Sequence, residues 1–188
     1  RSHTLVVSGR EAIVDVPRCK ASASRPPLVE PTPVIQTMPE PGVGLLKVRY
    51  FSGTFGLEFA ADLDRAITAL KRQKCERLIV DLRGNIGGSL GFARLASYLV
   101  PDTHPIGFNL TPARLRAGYA IADLPRVAMP SSRIGLATAL SHFAFRDKSL
   151  MLMTQGLGRR RFHGDTTLLI NEWTTSAGEI VAAFGLQS

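Results

Sequence analysis

The positions of hydrophobic and polar residues alternate between helix-like and strand-like patterns along the chain. Apolar residues recur at helical spacing over residues 57–72, which predicts an amphipathic helix. The apolar run at 78–82 is typical of a parallel strand that is covered on both faces. Further strands are predicted at 45–51, 106–110, 150–153 and 168–170, and further helices between Gly88 and Pro101, over 133–145 and from Ala177. This order predicts an α/β domain with a largely parallel sheet and flanking helices.

The first 43 residues have a different pattern from the rest. Two β-rich runs joined through Gly9 predict a hairpin in residues 1–17, which is too short for a domain and is expected to be the end of an upstream module. Residues 18–43 hold prolines without a period, which predicts an extended linker. The main domain is then residues 44–188. Because the chain begins with Arg1 instead of Met, we expect it to be a piece of a longer protein.

The composition is that of an ordinary globular protein, with 188 residues, 45% hydrophobic and 20% charged. This length suffices for one full domain with a hydrophobic core. No apolar run approaches the ~20 residues that span a bilayer. Cys19 and Cys75 are too few and too far apart for a metal site or a disulfide framework, so each is expected to be a free thiol.

The formal net charge is +8, but the basic residues are spread along the chain. The one tight run, Arg159–Arg160–Arg161, lacks the interleaved aromatic residues of a single-strand binder. We interpret it as a solvated loop, and no nucleic-acid partner is predicted. The charge is compatible with acidic partners or with association at a membrane surface.

Ser176 lies where the turn after the predicted strand at 168–170 ends and the helix from Ala177 begins. Its side chain is expected to point away from the sheet, close to the free N–H groups of the first helical turn. A serine there suits nucleophilic catalysis, since the same amides can stabilise an oxyanion. The sequence Ser176-Ala177-Gly178-Glu179 is also a capping box, in which the serine only caps the helix. From these residues alone, capping is the favoured interpretation.

A second turn, residues 83–88, follows the strand at 78–82. Its three glycines indicate a backbone that needs positive φ or that approaches another group closely. The spacing fits neither of the common nucleotide-binding glycine motifs, and a purely structural turn is the simpler alternative. If the strands at 78–82 and 168–170 are neighbours, both turns lie at the same sheet edge. The amides of Gly88 and Ala177 would then form an oxyanion hole.

Both turns resemble the signature segments of one family. The stretch LIVDLRGNIGGSLGFARLASYLVP, residues 78–101, is similar to the strand-turn-helix signature of the carboxyl-terminal processing proteases, also called tail-specific proteases. The stretch LLINEWTTSAGEIVAAF, residues 168–184, is similar to the nucleophile segment of that family. The resemblance covers residues 44–188 and implies a crotonase-like α/β core. Family members commonly carry a PDZ module just upstream, to which the hairpin would belong.

The resemblance implies a serine-type endopeptidase that acts on polypeptides recognised near their carboxyl termini. On this basis the nucleophile falls on Ser176 and the oxyanion-hole amides fall on Gly88 and Ala177, which reverses the preference for a simple cap. No metal or organic cofactor is implied, and the native location would be the periplasm or the cell envelope. The irregular segment 111–132 is open to two uses, as a lid or as a contact within a homo-oligomer.

The chain departs from the family pattern at the general base, which is usually a lysine on a strand beyond the nucleophile helix. No lysine follows Lys148, and a serine without a base is a weak nucleophile. His163 is expected at the wrong end of its strand, while His142 and His104 are expected to be packed and exposed, respectively. The resemblance therefore implies that the domain 44–188 is truncated at its C-terminus, and the 188 residues by themselves are expected to be inactive.

Two residues inside the nucleophile segment also differ from the family pattern. Gly178 stands where the family has a serine, and Trp173 occupies a turn where small or polar residues are common. Trp173 is expected to pack or to line a pocket. Two alternatives stay open: a non-catalytic binding or scaffold protein that retains the fold, and a crotonase-like acyl-CoA enzyme, which would use the same amides without needing the serine.

Overall fold

The computed structural model describes residues 2–7, 10–15, 32–130 and 148–186, together with positions 134, 135, 137 and 141. Its strands are β1 (Ser2–Val7), β2 (Arg10–Asp15), β3 (Val34–Glu40), β4 (Val43–Val48), β5 (Arg77–Asp81), β6 (Pro105–Asn109), β7 (Arg126–Ala128), β8 (Leu150–Met153) and β9 (Asp165–Leu169). Its helices are α1 (Leu57–Arg72), α2 (Phe92–Leu99), α3 (Pro112–Ala117) and α4 (Ala177–Gly185), with 3-10 turns at Ile121–Asp123 and Gly158–Arg160. Apart from the four single positions, the predicted helix over 133–145 lies outside the described residues, as do His142 and Cys19.

A four-stranded sheet with the order β3-β4-β5-β9 forms the centre of the fold. β4, β5 and β9 are parallel, and β3 joins β4 in the antiparallel direction. Val80 of β5 is fully buried, as expected for a strand covered on both faces. Asp81 pairs with Leu169 at the ends of β5 and β9. These two strands are therefore neighbours, which is the condition for a shared site, and the turns that follow them share one edge of the sheet.

The predicted helices 57–72 and from Ala177 appear as α1 and α4, and α2 lies between Gly88 and Pro101 as expected. α1 follows Gly56, whose φ of 74° suits a chain reversal. Its buried face consists of the apolar residues that recur at helical spacing: Phe59, Leu63, Ala66, Ile67 and Leu70. Together with side chains of β4, β5, α2 and α4, these residues form one continuous hydrophobic core.

A second, three-stranded sheet corrects the expectation of a single largely parallel sheet. In this sheet β8 pairs with β6 in the antiparallel direction and with β7 in the parallel direction. Both sheets are therefore mixed, and the architecture is a mixed α/β fold. The direction of each pairing depends on chain connections that local hydrophobic patterns do not encode, since the same apolar run suits either direction.

The predicted hairpin at the start of the chain corresponds to an antiparallel pair of β1 and β2. The predicted linker over 18–43 differs from the structure in its second half, because β3 and the first residue of β4 lie there. β3 is an edge strand, and its register shifts between Thr37 and Glu40, around Pro39. An edge strand with an irregular register tolerates proline, since not every N–H has to join the ladder. The prolines therefore led to the prediction of a linker in a segment that contains the edge strand of the sheet.

Candidate active site

Two turns at the carboxyl edge of the four-stranded sheet make up the candidate site. We refer to residues 83–88, which follow β5, as the glycine turn, and to residues 170–176, which follow β9, as the serine turn. Ser176 ends the serine turn and is the N-cap residue of α4. The structure thus places this serine at the strand-to-helix junction where the sequence predicts it.

The backbone of Ser176 has φ 55° and ψ −121°, a conformation that residues other than glycine rarely adopt. Such strain persists only where the surrounding structure fixes the backbone, and it is found often at functional sites. Ser176 is exposed to solvent, whereas the following residue, Ala177, is 3% exposed. A hydroxyl on an exposed, strained turn is accessible to a ligand.

The glycine turn lies against the chain that follows β4. The N–H of Phe51 donates to the carbonyl of Gly87 at 2.9 Å, and the N–H of Ser89 donates to the carbonyl of Phe51 at 2.9 Å. Gly88 has φ 137°, and a Cβ atom there would lie 2.3 Å from the Phe51 carbonyl oxygen. No residue with a side chain fits at this position without movement of the backbone.

The two turns touch at Gly87. A Cβ atom at Gly87 would lie 2.6 Å from the Ser176 Cβ and 3.0 Å from the Ser176 Oγ. It would also lie 3.1 Å from the Ala177 nitrogen. Gly88 is the amide donor that the family resemblance implies, whereas Gly87, which has no separate role in that resemblance, provides the room for the serine.

The amides of Gly88 and Ala177 are the two predicted oxyanion-hole donors. In the part of the chain that the structure describes, neither N–H has a hydrogen-bond partner. Ala177 is the first residue of α4, where the N–H has no partner within the helix. Both amides are therefore available to an acceptor from outside the chain.

Asn85 holds the glycine turn in place and was not singled out by the sequence. Its side chain is fully buried, and its Nδ2 donates to the Val48 carbonyl at 2.9 Å. Its Oδ1 accepts from the Gly87 N–H at 2.8 Å. The Asn85 carbonyl accepts from the Thr175 N–H at 2.9 Å. This one residue thus connects β4, the glycine turn and the serine turn. Its sequence context, between Gly84 and Ile86 after a buried strand, is that of an ordinary turn asparagine.

Two further side chains of the serine turn bond to the segment that follows β5. Asn171 Oδ1 accepts from the Gly84 N–H at 2.9 Å and from the Trp173 N–H at 3.2 Å. Thr174 is buried, and its hydroxyl donates to the Leu82 carbonyl at 2.8 Å. Backbone groups of both turns thus have their hydrogen-bond partners within this pair of turns. These bonds fix the distance between the two turns. Trp173 itself is half-buried.

Glu179 makes one of the two hydrogen bonds of the predicted capping box, the one from its carboxylate. Its carboxylate accepts from the Ser176 N–H at 2.6 Å, while its own N–H donates to the Ser176 carbonyl at 2.9 Å. Gly178 departs from the family serine for a steric reason. A Cβ atom there would lie 2.9 Å from Asn85 Oδ1 and 3.0 Å from a methyl group of Thr174.

An ion pair lies at the start of the glycine turn. Arg83 donates through Nε and Nη2 to the two carboxylate oxygens of Asp81, at 2.9 and 3.0 Å. Burial of Asp81 disfavours its charge, but the hydrogen bonds and positive charge of Arg83 outweigh that effect, with a contribution from Arg49. The pKa of Asp81 is therefore below its ordinary value, and the hydrogen bond to Asp81 raises the pKa of Arg83.

No histidine or lysine is bonded to the Ser176 hydroxyl among the described residues. His163 is exposed and precedes β9, whereas Ser176 follows it, so a strand of five residues separates them. That strand spans roughly 17 Å, far beyond hydrogen-bond reach. His104 is exposed, as predicted.

An apolar cavity of about 410 Å³ lies close to both turns. Leu90, two residues after Gly88, and Ile180, on the first turn of α4, are part of its wall. The remaining wall comes from Phe55, Phe92 and the second sheet, including Phe108 of β6 and Leu152 of β8. A cavity of this size and character accepts an apolar side chain of a ligand.

The residues that the structure describes hold no candidate for a membrane span or for a metal site. Within these ranges, no helix combines the length and apolar character needed to cross a bilayer. The same ranges contain no group of three or more histidine, cysteine or acidic side chains arranged to hold a metal ion.

The fold is similar to those of two solved proteins. The photosystem II D1 C-terminal processing protease aligns with a TM-score of 0.53 and 18% identity, over 85% of this chain and 35% of that one. A protein from Parabacteroides merdae, named a "putative peptidase", aligns with a TM-score of 0.51 and 18% identity, over 82% of this chain and 40% of that one. At this identity the similarity shows the mixed α/β fold, and this chain spans well under half of either protein.

The sequence matches the family described as "Peptidase family S41" over residues 42–187. The chain therefore belongs to peptidase family S41, and the resemblance to the carboxyl-terminal processing proteases is confirmed. No protein in the curated collection of sequences matches it.

Proposed function

We propose that this chain carries the nucleophile and the oxyanion hole of a serine endopeptidase of the tail-specific type. Ser176 attacks the scissile carbonyl, and the amides of Gly88 and Ala177 bind the oxyanion that forms. The observation that supports this best is the strained, exposed Ser176 packed against Gly87, with those two amides unpartnered among the described residues.

The general base comes, on this proposal, from a lysine outside these 188 residues. A serine hydroxyl needs a base within hydrogen-bond reach to become a useful nucleophile near neutral pH. Because none is bonded to Ser176 among the described residues, the chain by itself is expected to be inactive.

The substrate is a polypeptide, which the family membership supports. The apolar cavity bounded by Leu90 and Ile180 would receive an apolar side chain beside the scissile bond. Recognition of the carboxyl terminus by an upstream PDZ module and a location in the cell envelope belong to the same proposal, and the resemblance to tail-specific proteases is what supports them.

A fluorophosphonate probe applied to the full-length protein tests the nucleophile. We expect labelling of the wild type and none of Ser176→Ala. Ser89→Ala is the matched control, because Ser89 lies on the other side of the glycine turn with its hydroxyl bonded to the Ser52 carbonyl at 3.0 Å; it should label normally. Labelling that survives Ser176→Ala, or hydrolysis of a polypeptide that persists in it, would refute the assignment.

A second candidate is a non-catalytic binding protein that retains the protease fold. The absence of a base at the Ser176 hydroxyl, in the described part of the chain, favours it. Under this alternative the intact full-length protein binds polypeptides but does not label. An oxyanion hole without an activated nucleophile would then serve to hold a carbonyl or carboxylate group.

A further inference from the structure

A basic cleft lies between the C-terminal part of α1, the end of α2 and the 3-10 turn at Gly158–Arg160. Its volume is about 420 Å³, and it is lined by Asp64, Thr68, Lys71, Arg72, Tyr98, Arg159 and Arg160. We call this set of residues the arginine cleft. Four of the seven side chains are cationic and one is acidic, so the cleft has a strong excess of positive charge.

The one acidic side chain of the arginine cleft is already neutralised. Asp64 accepts hydrogen bonds from Arg94 Nε at 2.8 Å, from Arg94 Nη2 at 2.6 Å and from the Tyr98 hydroxyl at 2.8 Å. Arg94 is almost fully buried and does not line the cleft. Asp64 therefore has little capacity left to balance the charges of the cleft.

The turn that carries Arg159 and Arg160 is anchored to α1. Lys71 Nζ donates to the carbonyls of Arg159 at 2.9 Å, Arg160 at 3.4 Å and Arg161 at 3.0 Å. These three bonds fix the backbone, while the side chains of Arg159 and Arg160 are exposed at the cleft. The cationic groups are thus held on a defined frame and not on a loose loop.

Arg72, Arg159 and Arg160 have no side-chain partner within the described residues. Like charges that share one cleft repel one another, which destabilises the arrangement unless an anion joins them. Guanidinium groups bind carboxylates through two parallel N–H donors, so several of them around one concavity suit a ligand with several carboxylates.

We propose that the arginine cleft binds an acidic segment of a polypeptide. A concave site suits aspartate and glutamate side chains, which can enter it, better than the flat surface of a bilayer. Tyr98 is the one aromatic residue of the cleft, and its hydroxyl is bonded to Asp64, so the cleft lacks the stacking surface of a single-strand nucleic-acid binder. Its volume exceeds that of one small anion and fits a few residues of chain.

The arginine cleft is separate from the candidate active site. Arg72 ends α1 just before β5 begins, at the amino edge of the sheet, whereas Ser176 follows the carboxyl end of β9. The cleft would therefore hold a partner or a distant part of a substrate, and its ligand does not depend on whether Ser176 is a nucleophile.

Titration calorimetry with a capped tetra-aspartate peptide tests this inference, with capped tetra-asparagine and inorganic phosphate as comparison ligands. We expect tetra-aspartate to bind and tetra-asparagine not to bind, with affinity that falls as salt shortens the screening length. Arg159→Gln with Arg160→Gln should weaken binding about tenfold, the effect of two exposed charge pairs. Arg116→Gln with Arg126→Gln is the control of equal charge, since both arginines are exposed and lie outside the cleft.

Three outcomes would overturn the inference. Equal weakening by the two double variants would mean that net charge alone attracts the peptide. Phosphate that binds as tightly as tetra-aspartate would mean a small-anion site. Binding to vesicles of anionic lipid that is lost only in Arg159→Gln with Arg160→Gln would assign the charges to a membrane surface instead. Far-UV circular dichroism of each variant checks the fold, and Arg72→Gln alone provides a milder change with the same expected direction.

Discussion

The glycine turn and the serine turn meet at one edge of the sheet but reach positive φ in different ways. The glycine turn has positive φ at Gly84, Gly87 and Gly88, where the lack of a side chain removes the steric cost. The serine turn has positive φ at Ser176, a residue that has to bear that cost. The strain lies where a side chain is needed for chemistry, and glycine lies where only the backbone is needed.

Hydrogen bonds between the two turns support the strained backbone. Donors and acceptors of the glycine turn and of the segment before it bond to Asn171, Thr174 and Thr175. A strained backbone persists only when its surroundings fix it. The hydrogen bonds to the glycine turn and to the segment before it therefore help to fix the strained serine turn.

The largest expected effect comes from removing the side chain that connects the two turns. Asn85→Ala leaves the Val48 carbonyl and the Gly87 N–H without their partners inside the protein. Two buried unsatisfied groups should lower the free energy of unfolding by about 3 kcal/mol, measured by urea denaturation. Asn109→Ala is the control, because Asn109 is exposed and makes one bond, to the Lys148 carbonyl. If Asn85→Ala lowers the free energy of unfolding no more than this control does, Asn85 does not hold the two turns together.

An intermediate effect is expected when Ser176 is made like its glycine neighbours. Ser176→Gly removes the Cβ that makes φ 55° unfavourable. Glycine also gives the unfolded chain more conformational entropy, which offsets part of this gain, so the net stabilisation should be about 1 kcal/mol. Ser176→Ala keeps the Cβ and should leave stability almost unchanged. Thermal unfolding of the pair isolates the backbone strain, and equal melting temperatures would argue that Ser176 is not strained.

The smallest effect concerns acid stability at the start of the glycine turn. The folded state lowers the pKa of Asp81, so the stabilising contribution of its charge is fully present above about pH 4, the ordinary pKa of aspartate. It is lost as the pH falls through the lower, folded-state pKa. Arg83→Gln removes the main partner of Asp81 and should flatten the dependence of unfolding free energy on pH below about pH 4. Identical acid profiles for wild type and variant would contradict this.

Much of the frame of the site was predictable from local sequence. The apolar spacing between Leu57 and Arg72 gave both ends of α1, because periodicity and the flanking glycine agree. The glycines of the glycine turn and the Ser-x-x-Glu pattern marked both turns, since positive φ and helix capping leave local signals. Their common sheet edge depended on the pairing of β5 with β9, which the structure shows and the local sequence leaves open.

The rest depends on contacts between distant parts of the chain. The role of Asn85 comes from Val48 and Thr175, 37 and 90 residues away, and no local rule distinguishes it from a turn asparagine. The packing around Ser176 imposes its strained backbone, so the residue types of the serine turn give no sign of that strain. β3 was not predicted because its segment contains prolines, which an edge strand tolerates.

The sequence distance between the two turns has a consequence for when the site can form. Gly84 bonds to Asn171 across 87 residues, and Leu82 bonds to Thr174 across 92. Contacts of such large separation form late in folding, because a long loop must close before they stabilise anything. During synthesis the glycine turn leaves the ribosome long before Ser176 does. The nucleophile is consequently aligned only in a chain whose central sheet is complete. A half-made chain has the glycine turn without the serine, and a partly unfolded chain has the serine without its site.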